Sequence, residues 1–354
     1  MALGTPVYPG QSNTYIPNHE ATAGLVIGFS RNPDDFPLNQ YIQIKPVTKD
    51  VGRYLRLTTE EAGRIVNADL SDFVWPDGAD RPQNNDGTEL FAYDSYRTQR
   101  YNYAFKLGDK SREQADWGVV DVHKAIVAQK AMTARTVRTH AILQTNGSWE
   151  TGHRLAVNDI PGTTGPWDAS TSARQDIKRS LHYAAEQIMK ATLSVVRKKD
   201  LRVVFSPEIA HRISETQEIV EHIKQSPEAY SQVKGETGKW GQWGLPDSLY
   251  GFPIVVEDAV RVDSRRGAAT SSRDWVASSS SAYMMARPGG LVAPAGSGPN
   301  FSTACIFSYE EMSVEEFQTA EHRRMTGNVV DDFEVVVTAS VSGFRFDDVL
   351  TVAT

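Results

Sequence analysis

SREQADWGVVDVHKAIVAQKAMTARTVRTHAILQTN, running from Ser111 to Asn146, is the stretch whose period decides how the rest of this chain is read. Ser111 and Gln114 have the S-x-x-Q spacing of a capping box, which marks a helix start. Asn146-Gly147 marks its stop, because glycine tolerates the left-handed cap. Between them Ala115, Val119, Val122 and Ile126 recur at steps of three and four, and Val137 and His140 fall on the same side. Glu113, Asp121, Lys124, Arg135 and Arg138 fall on the other. That is the period of one long helix with a single buried stripe. At about 1.5 Å per residue it would span roughly 50 Å. Gly118 is its weak point and a place to bend. A long core helix of an ordinary α/β protein would read the same way.

Upstream of the helix, residues 1–50 carry Pro6, Pro9, Pro17, Pro33, Pro37 and Pro46, which break helices, and show no steady strand period. They also carry Tyr8, Tyr15, Ile16, Leu25, Val26, Ile27 and Phe29. A segment with apolar side chains and no core of its own is expected to be an extended arm packed on a neighbouring chain. Residues 51–107 read as a two-faced β-ribbon. Tyr54-Leu55-Arg56-Leu57 opens it, and Tyr93, Tyr96, Tyr101, Tyr103 and Phe105 line the return, with Arg97, Arg100 and Lys106 interleaved. The middle, from Trp75 to Gly87, is turn chemistry without a core. A lone ribbon is marginal and needs a partner surface. Arginines among aromatics can also stack nucleobases. The acidic tip, Asp72, Asp77, Asp80 and Asp86, weighs against that.

Downstream, a second S-x-x-Q pair, Ser172 and Gln175, opens a helix with the stripe Ile177, Leu181, Ala184, Ile188 and Val195. Arg197-Lys198-Lys199 would sit at its C-terminal end, where the dipole favours cations, as a solvated cluster rather than a phosphate site. From Leu201 the pattern becomes βα: a strand Leu201–Phe205, then Ser206-Pro207-Glu208 as cap, first-turn proline and first-turn acid. A helix or helix pair runs on to about Val233. GETGKWGQWG (235–244) lacks P-loop glycine spacing and has no Ser or Thr after Lys239. Phe252–Val256 is the next strand. Gly289-Gly290 and Gly296-Ser297-Gly298 make a flexible loop. The end is β, with Ser313–Thr319 alternating loosely. Phe333, Val335, Val337, Ala339 and Val341 share one face against Glu334, Thr338 and Ser340. A final sheet shared with elements before residue 201 would make 201–312 an inserted domain.

Composition narrows the function. The chain has 354 residues, 40% hydrophobic and 23% charged, enough for a sizeable core and more than one domain. A net charge of -7 argues against a dedicated nucleic-acid binder. The single cysteine, Cys305, excludes a disulfide framework and sits in an apolar run as a buried, inert thiol. The N-terminus lacks the features of a signal peptide, and no stretch reaches membrane-spanning length. The eight histidines, His19, His123, His140, His153, His182, His211, His222 and His322, form no H-E-x-x-H and no ligand pair with a nearby carboxylate. There is no nucleophile elbow, dinucleotide fingerprint or Walker motif. Glu310-Glu311, Glu315-Glu316 and Asp331-Asp332 are strand neighbours that point to opposite faces, so they are read as solvated or intersubunit charges rather than acid/base dyads. No catalytic, cofactor-binding or metal-binding residue is assigned.

The order of these parts resembles the major capsid protein of tailed bacteriophages, the Hong Kong phage-type shell fold, over nearly the whole chain. SLYGFPIVVEDAV (Ser248–Val260) is similar to that family's Leu-x-Gly-x-Pro-Val strand. Residues 301–344, FSTACIFSYEEMSVEEFQTAEHRRMTGNVVDDFEVVVTASVSGF, resemble its late strands. The resemblance implies an α+β fold with an N-arm (1–50), an E-loop (51–107), a P-domain (108–200 and 313–354, with the spine helix at 111–146) and an axial A-domain (201–312). It implies a non-enzymatic homo-oligomer of hexamers and pentamers, in a virion capsid assembled in the host cytoplasm. Scaffolding, portal and decoration proteins are the implied partners, with non-specific contact to packaged double-stranded DNA and none to membrane. The arm starts within a few residues of Met1, so a separate scaffolding protein, or none, is expected. Some members crosslink an E-loop lysine to a neighbour's asparagine. No lysine lies between Lys49 and Lys106, so no such bond is expected. Encapsulin nanocompartments resemble the same fold, and an oligomeric α/β enzyme is the remaining alternative.

Overall fold

The computed structural model describes residues 35–57, 69, 74–75, 77–78, 91–113, 118–224, 243–265, 268–287, 302–319 and 323–351. The first 34 residues, most of the expected ribbon tip, most of the GETGKWGQWG loop, and both glycine pairs near residue 290 lie outside them.

The described chain enters through a helical turn, Leu38–Tyr41, and a short strand β1 (Gln43–Pro46). Strands β2 (Val51–Leu57) and β3 (Phe91–Arg97) pair antiparallel as the base of the ribbon. β4 (Gln99–Gly108) leads to a short helix, Asp109–Glu113, and then to the long helix, Val119–Leu143. After β5 (Arg154–Ala156) come the helix Asp176–Ala191, β6 (Leu201–Phe205) and the helices Pro207–Ser214 and Gln217–Lys224. β7 (Ser248–Leu249), β8 (Phe252–Val256), β9 (Val260–Val262), β10 (Arg273–Trp275) and β11 (Ala282–Ala286) follow. The chain closes on β12 (Ala304–Thr319), β13 (Arg324–Val337) and β14 (Gly343–Asp347).

Two larger sheets organise these elements, one ordered β1-β12-β13-β4 and one ordered β5-β14-β11-β6-β8-β7. β11 explains how they join. Its sequence AYMMA is buried at every position, as a strand covered on both faces must be. Side chains alternate across a strand. Ala282, Met284 and Ala286 therefore face one core with Ile177, Leu181 and Ile188. Tyr283 and Met285 face a second core with Leu38, Tyr41, Ile42, Leu143 and Trp149. The last strand, β14, pairs with β11 and β5 rather than with β13. The chain's end thus belongs to the sheet of residues 201–286, and the division placed at 312/313 falls inside the continuous strand β12.

Other boundaries move for local reasons. The long helix starts at Val119 with Gly118 as its cap, so the expected bend is a start and Ser111-Gln114 does not begin it. Its 25 residues span about 37 Å. Its end is made by side-chain donors, not by a glycine cap. Thr145 Oγ1, Ser148 Oγ and Trp149 Nε1 donate to the carbonyls of Ala141, Ile142 and Leu143, which otherwise have no partner within the helix. Val119 and His140 of the expected stripe are buried, but the rest of the buried face is shifted from it. Val127, Ala131, Arg135, Thr139 and Leu143 face inward at steps of four, while Ile126 is 47% exposed. Thr136 and Thr139 donate back to the carbonyls of Met132 and Arg135, so their hydroxyls enter the core satisfied.

The next helix begins at Asp176, after Gln175 in the left-handed region, and Ser172 plays no capping part. Ser170 Oγ accepts from the Asp176 amide, and the buried carboxylate of Glu218 accepts from Ile177 and Lys178. An acid from a distant helix therefore satisfies the free amides and the positive dipole end. The helix stops at Ala191, so Val195 lies exposed beyond it, and Lys198-Lys199 belong to a separate 3-10 turn. β6, the cap at Ser206 with Pro207 in the first turn, and β8 stand where the residues place them. β13 ends at Val337, so Ala339 and Val341 are not on its face.

The arm reading changes most. Phe36, Leu38, Tyr41 and Ile42 are buried in the chain's own core, so the segment 35–46 is not an extended arm lying on a neighbour. Tyr101, Tyr103 and Phe105 leave the ribbon for the four-stranded sheet, where Gly327 lies opposite Phe105 and makes room for its ring.

Candidate assembly surface

The described surface is organised by how the long helix is held to the four-stranded sheet. Arg135, expected on the solvent side, is buried and points at Asp331 of β13. Its Nε donates to Oδ2 at 3.1 Å and its Nη2 to Oδ1 at 2.5 Å, a two-pronged contact that only arginine makes. The guanidinium also lies 5.1 Å from the centroid of the Phe333 ring. Burial pushes the Asp331 carboxyl up while Arg135 pulls it down. Asp331 and Asp332 do point to opposite faces, but both are buried, so they are not solvated charges. Asp332 instead meets Arg100 at 3.5 Å, and Arg100 also reaches Glu310 at 3.3 Å. Arg138 pairs with Glu334 at 3.3 Å, and Lys124 pairs with Glu316. Most of the paired acids are therefore used within the chain, not between subunits. Glu311, Glu315 and Glu316 are the exposed members, and of these Glu316 has Lys124 beside it.

A second polar cluster lies where the arm's root, the long helix and both sheets meet. The Tyr41 hydroxyl donates to Glu257 Oε2 at 2.8 Å and lies 3.1 Å from His140 Nε2. Glu257 Oε1 accepts from the Ala259 amide. Burial, then the charge of Glu257, pushes the Tyr41 hydroxyl well up. Complete burial holds His140 down at about 4, so the ring is neutral and packs edge-on against Tyr41 and Tyr283. The sequence marked His140 only as a stripe position. Nothing local pointed to Tyr41 or Glu257.

Outside these clamps, apolar side chains stand in the open. The ribbon base leans on the body through Tyr96, stacked on Phe307 at 4.5 Å, and Tyr54, at 5.7 Å from the same ring. Its Val51 and Tyr93 remain exposed, Tyr93 at 66%. On the two-stranded sheet β9–β10, Val260 and Val262 share a face and are exposed, Val262 at 60%. Along β12, Tyr309, Val314 and Phe317 are exposed as well. β12 pairs with β1 only over residues 305–308, so among the described residues its outer edge beyond Ser308 pairs with no strand. An open edge with apolar side chains is a surface that another chain can cover.

The remaining singled-out residues have structural roles or lie on the surface. Burial pushes the Cys305 thiol up, as expected of an inert core cysteine. His153 Nδ1 lies 2.8 Å from the Gly343 carbonyl, and His123 Nδ1 lies 2.8 Å from that of Val119. His211 is exposed 3.7 Å from Glu215. His19 and His322 lie outside the described residues. Among the described residues no group of three or more His, Cys, Asp or Glu side chains is placed to hold a metal ion, and no helix is long and apolar enough to cross a membrane.

No family model matches the sequence, and no curated protein matches it. Solved structures do. A phage-related protein from Bordetella bronchiseptica is similar at 14% identity, over 89% of this chain and 92% of that one, with a TM-score of 0.58. The capsid of Cyanophage P-SCSP1u is similar at 12% identity, over 98% and 99%, with a TM-score of 0.55. An encapsulin complex from Synechococcus elongatus is similar at 8% identity, over 96% and 99%, with a TM-score of 0.53. The chain has the α+β shell fold of these structures, the Hong Kong phage-type fold.

Proposed function

We propose that a chain with this shell fold works by assembly, as the major capsid subunit of a tailed phage. It forms the hexamers and pentamers of an icosahedral head around double-stranded DNA, is a virion component and assembles in the host cytoplasm. Scaffolding, portal and decoration proteins are its expected partners, and no reaction is assigned to it. The observation that supports this is the set of apolar side chains standing outside the body, on the ribbon base, on β9–β10 and along β12. Neighbouring copies would cover them, since specific interfaces bury on the order of 800 Å² per partner. In this reading 51–107 is the E-loop, 201–312 supplies most of the A-domain, and of the N-arm placed at 1–50 the segment Phe36–Ile42 packs in the chain's own core.

Negative-stain microscopy of the purified protein tests the proposal. Closed shells are expected, and a compact monomer would end it. The encapsulin likeness covers the chain as fully as the phage ones, so particle contents separate the two: DNA for a phage head, protein cargo for an encapsulin.

Three results are expected on this basis. Removing residues 1–34 should stop closed shells from forming while the subunit stays soluble. Removing 1–50 should unfold it, because Leu38, Tyr41 and Ile42 leave the core and each large buried side chain is worth about 2–5 kcal/mol. Denaturing electrophoresis of mature particles should show a single monomer band. A ladder would mean that a covalent link forms without an E-loop lysine.

A further inference from the structure

We propose that Lys178, His182 and Lys198 form a binding site for a phosphate group on the flank of the six-stranded sheet. The site is built by the tight turn between β7 and β8. Tyr250 and Gly251 both take positive φ, 53° and 85°, as a two-residue hairpin turn requires. The turn holds two rings against the helix Asp176–Ala191. Lys178 and His182 stand one helical turn apart on that helix. Lys178 Nζ lies 5.9 Å from the centroid of Tyr250, and the His182 ring lies 5.7 Å from that of Phe252. Lys198 reaches the same place from the 3-10 turn, its Nζ 4.6 Å from the centroid of Phe252. Gly251 leaves it room, for a Cβ there would stand 3.2 Å from the ammonium.

Two ammonium groups and an imidazole are thus gathered on one pair of rings. None has a carboxylate within ion-pair distance among the described residues. The acid nearest in the bonding pattern, Glu218, is committed elsewhere. It accepts from the Tyr250 hydroxyl and from the amides of Ile177 and Lys178. Burial, and then the charges of Lys198 and Lys178, hold the His182 imidazole below its usual range. Gathering like charges without a counter-charge is unfavourable, and an oxyanion relieves it. Three donors suit the several oxygens of a phosphate better than the two of one side-chain carboxylate.

The full-length chain is titrated at low salt with inorganic phosphate and, separately, with a short DNA duplex, by calorimetry. Binding to either supports the site. Phosphate alone would identify a free phosphate as the ligand, and duplex binding a phosphodiester. The double variant Lys178→Gln/Lys198→Gln keeps the aliphatic stems over the rings. It should weaken phosphate binding roughly tenfold, and lower the log–log salt slope for duplex binding by about 2. Lys178→Arg/Lys198→Arg keeps both charges and should bind as the original does. The proposal falls if the unaltered chain binds neither ligand, or if the glutamine pair binds as tightly as the original. It falls equally if that pair loses only particle formation, which would assign the cluster to a carboxylate of a second copy. The titration needs no shells to form, so it is decided separately from the assembly reading.

Discussion

Replacing Arg135 with methionine is expected to cost about 3–5 kcal/mol of folding stability, because it leaves Asp331 buried without its partner. The side chains of the pair are 7% and 1% exposed, so solvent does little to soften the loss. Removing the guanidinium removes what opposes the burial-driven rise of the Asp331 carboxyl, which should then take up a proton. The Phe333 ring loses its cation as well. The double variant Arg135→Met/Asp331→Leu should recover most of the loss, since replacing both charges by apolar groups of similar size is often nearly neutral. Urea unfolding of the soluble subunit, followed by tryptophan fluorescence, measures both. A cost below about 1 kcal/mol for the single change would mean that water reaches the carboxylate and that the pair does not clamp helix to sheet.

Acid should loosen the junction between the arm's root and the two sheets through His140. Its folded value of about 4 lies below that of a free imidazole near 6.5, because burial disfavours the charged ring. As the pH falls, the unfolded chain therefore binds this proton before the folded one. The His140 contribution leaves stability unchanged above about pH 6.5, and removes it progressively as the pH falls to about 4. The accumulated loss is about 3 kcal/mol by pH 4. In His140→Leu that share of the acid limb should vanish, although stability at neutral pH drops because the Tyr41 hydroxyl loses a neighbour. Unfolding free energies of both proteins at several values between pH 7 and 4 test this. Parallel curves would show that His140 is protonated without penalty.

Both effects come from residues whose helical face could be counted but whose partners could not. Steps of three and four found a long helix, and alternation found β13, because periodicity follows from backbone geometry alone. A strand framed by a cap and a first-turn proline was legible at Leu201–Pro207 for the same reason. So was the arrangement of ribbon, helix and late strands that carried the resemblance to a shell fold. What the chain alone determines, then, is the kind of each element and its rough order.

The tertiary structure decided which face of each element is inside. An isolated helix reads Arg135 as a surface cation, and only Asp331, 196 residues later, turns it inward. Likewise the Tyr41 hydroxyl enters the core satisfied because Glu257 and His140 wait at the junction. The capping box at Ser172 and the glycine stop at Asn146-Gly147 lost for a related reason: free helix ends take whatever donor or acceptor the packed chain brings, here Glu218 at the start of one helix and Trp149 at the end of the other. β14 joined the sheet of residues 201–286 because hydrogen-bonded neighbours are set by where strands meet in space, which local residue pattern does not encode.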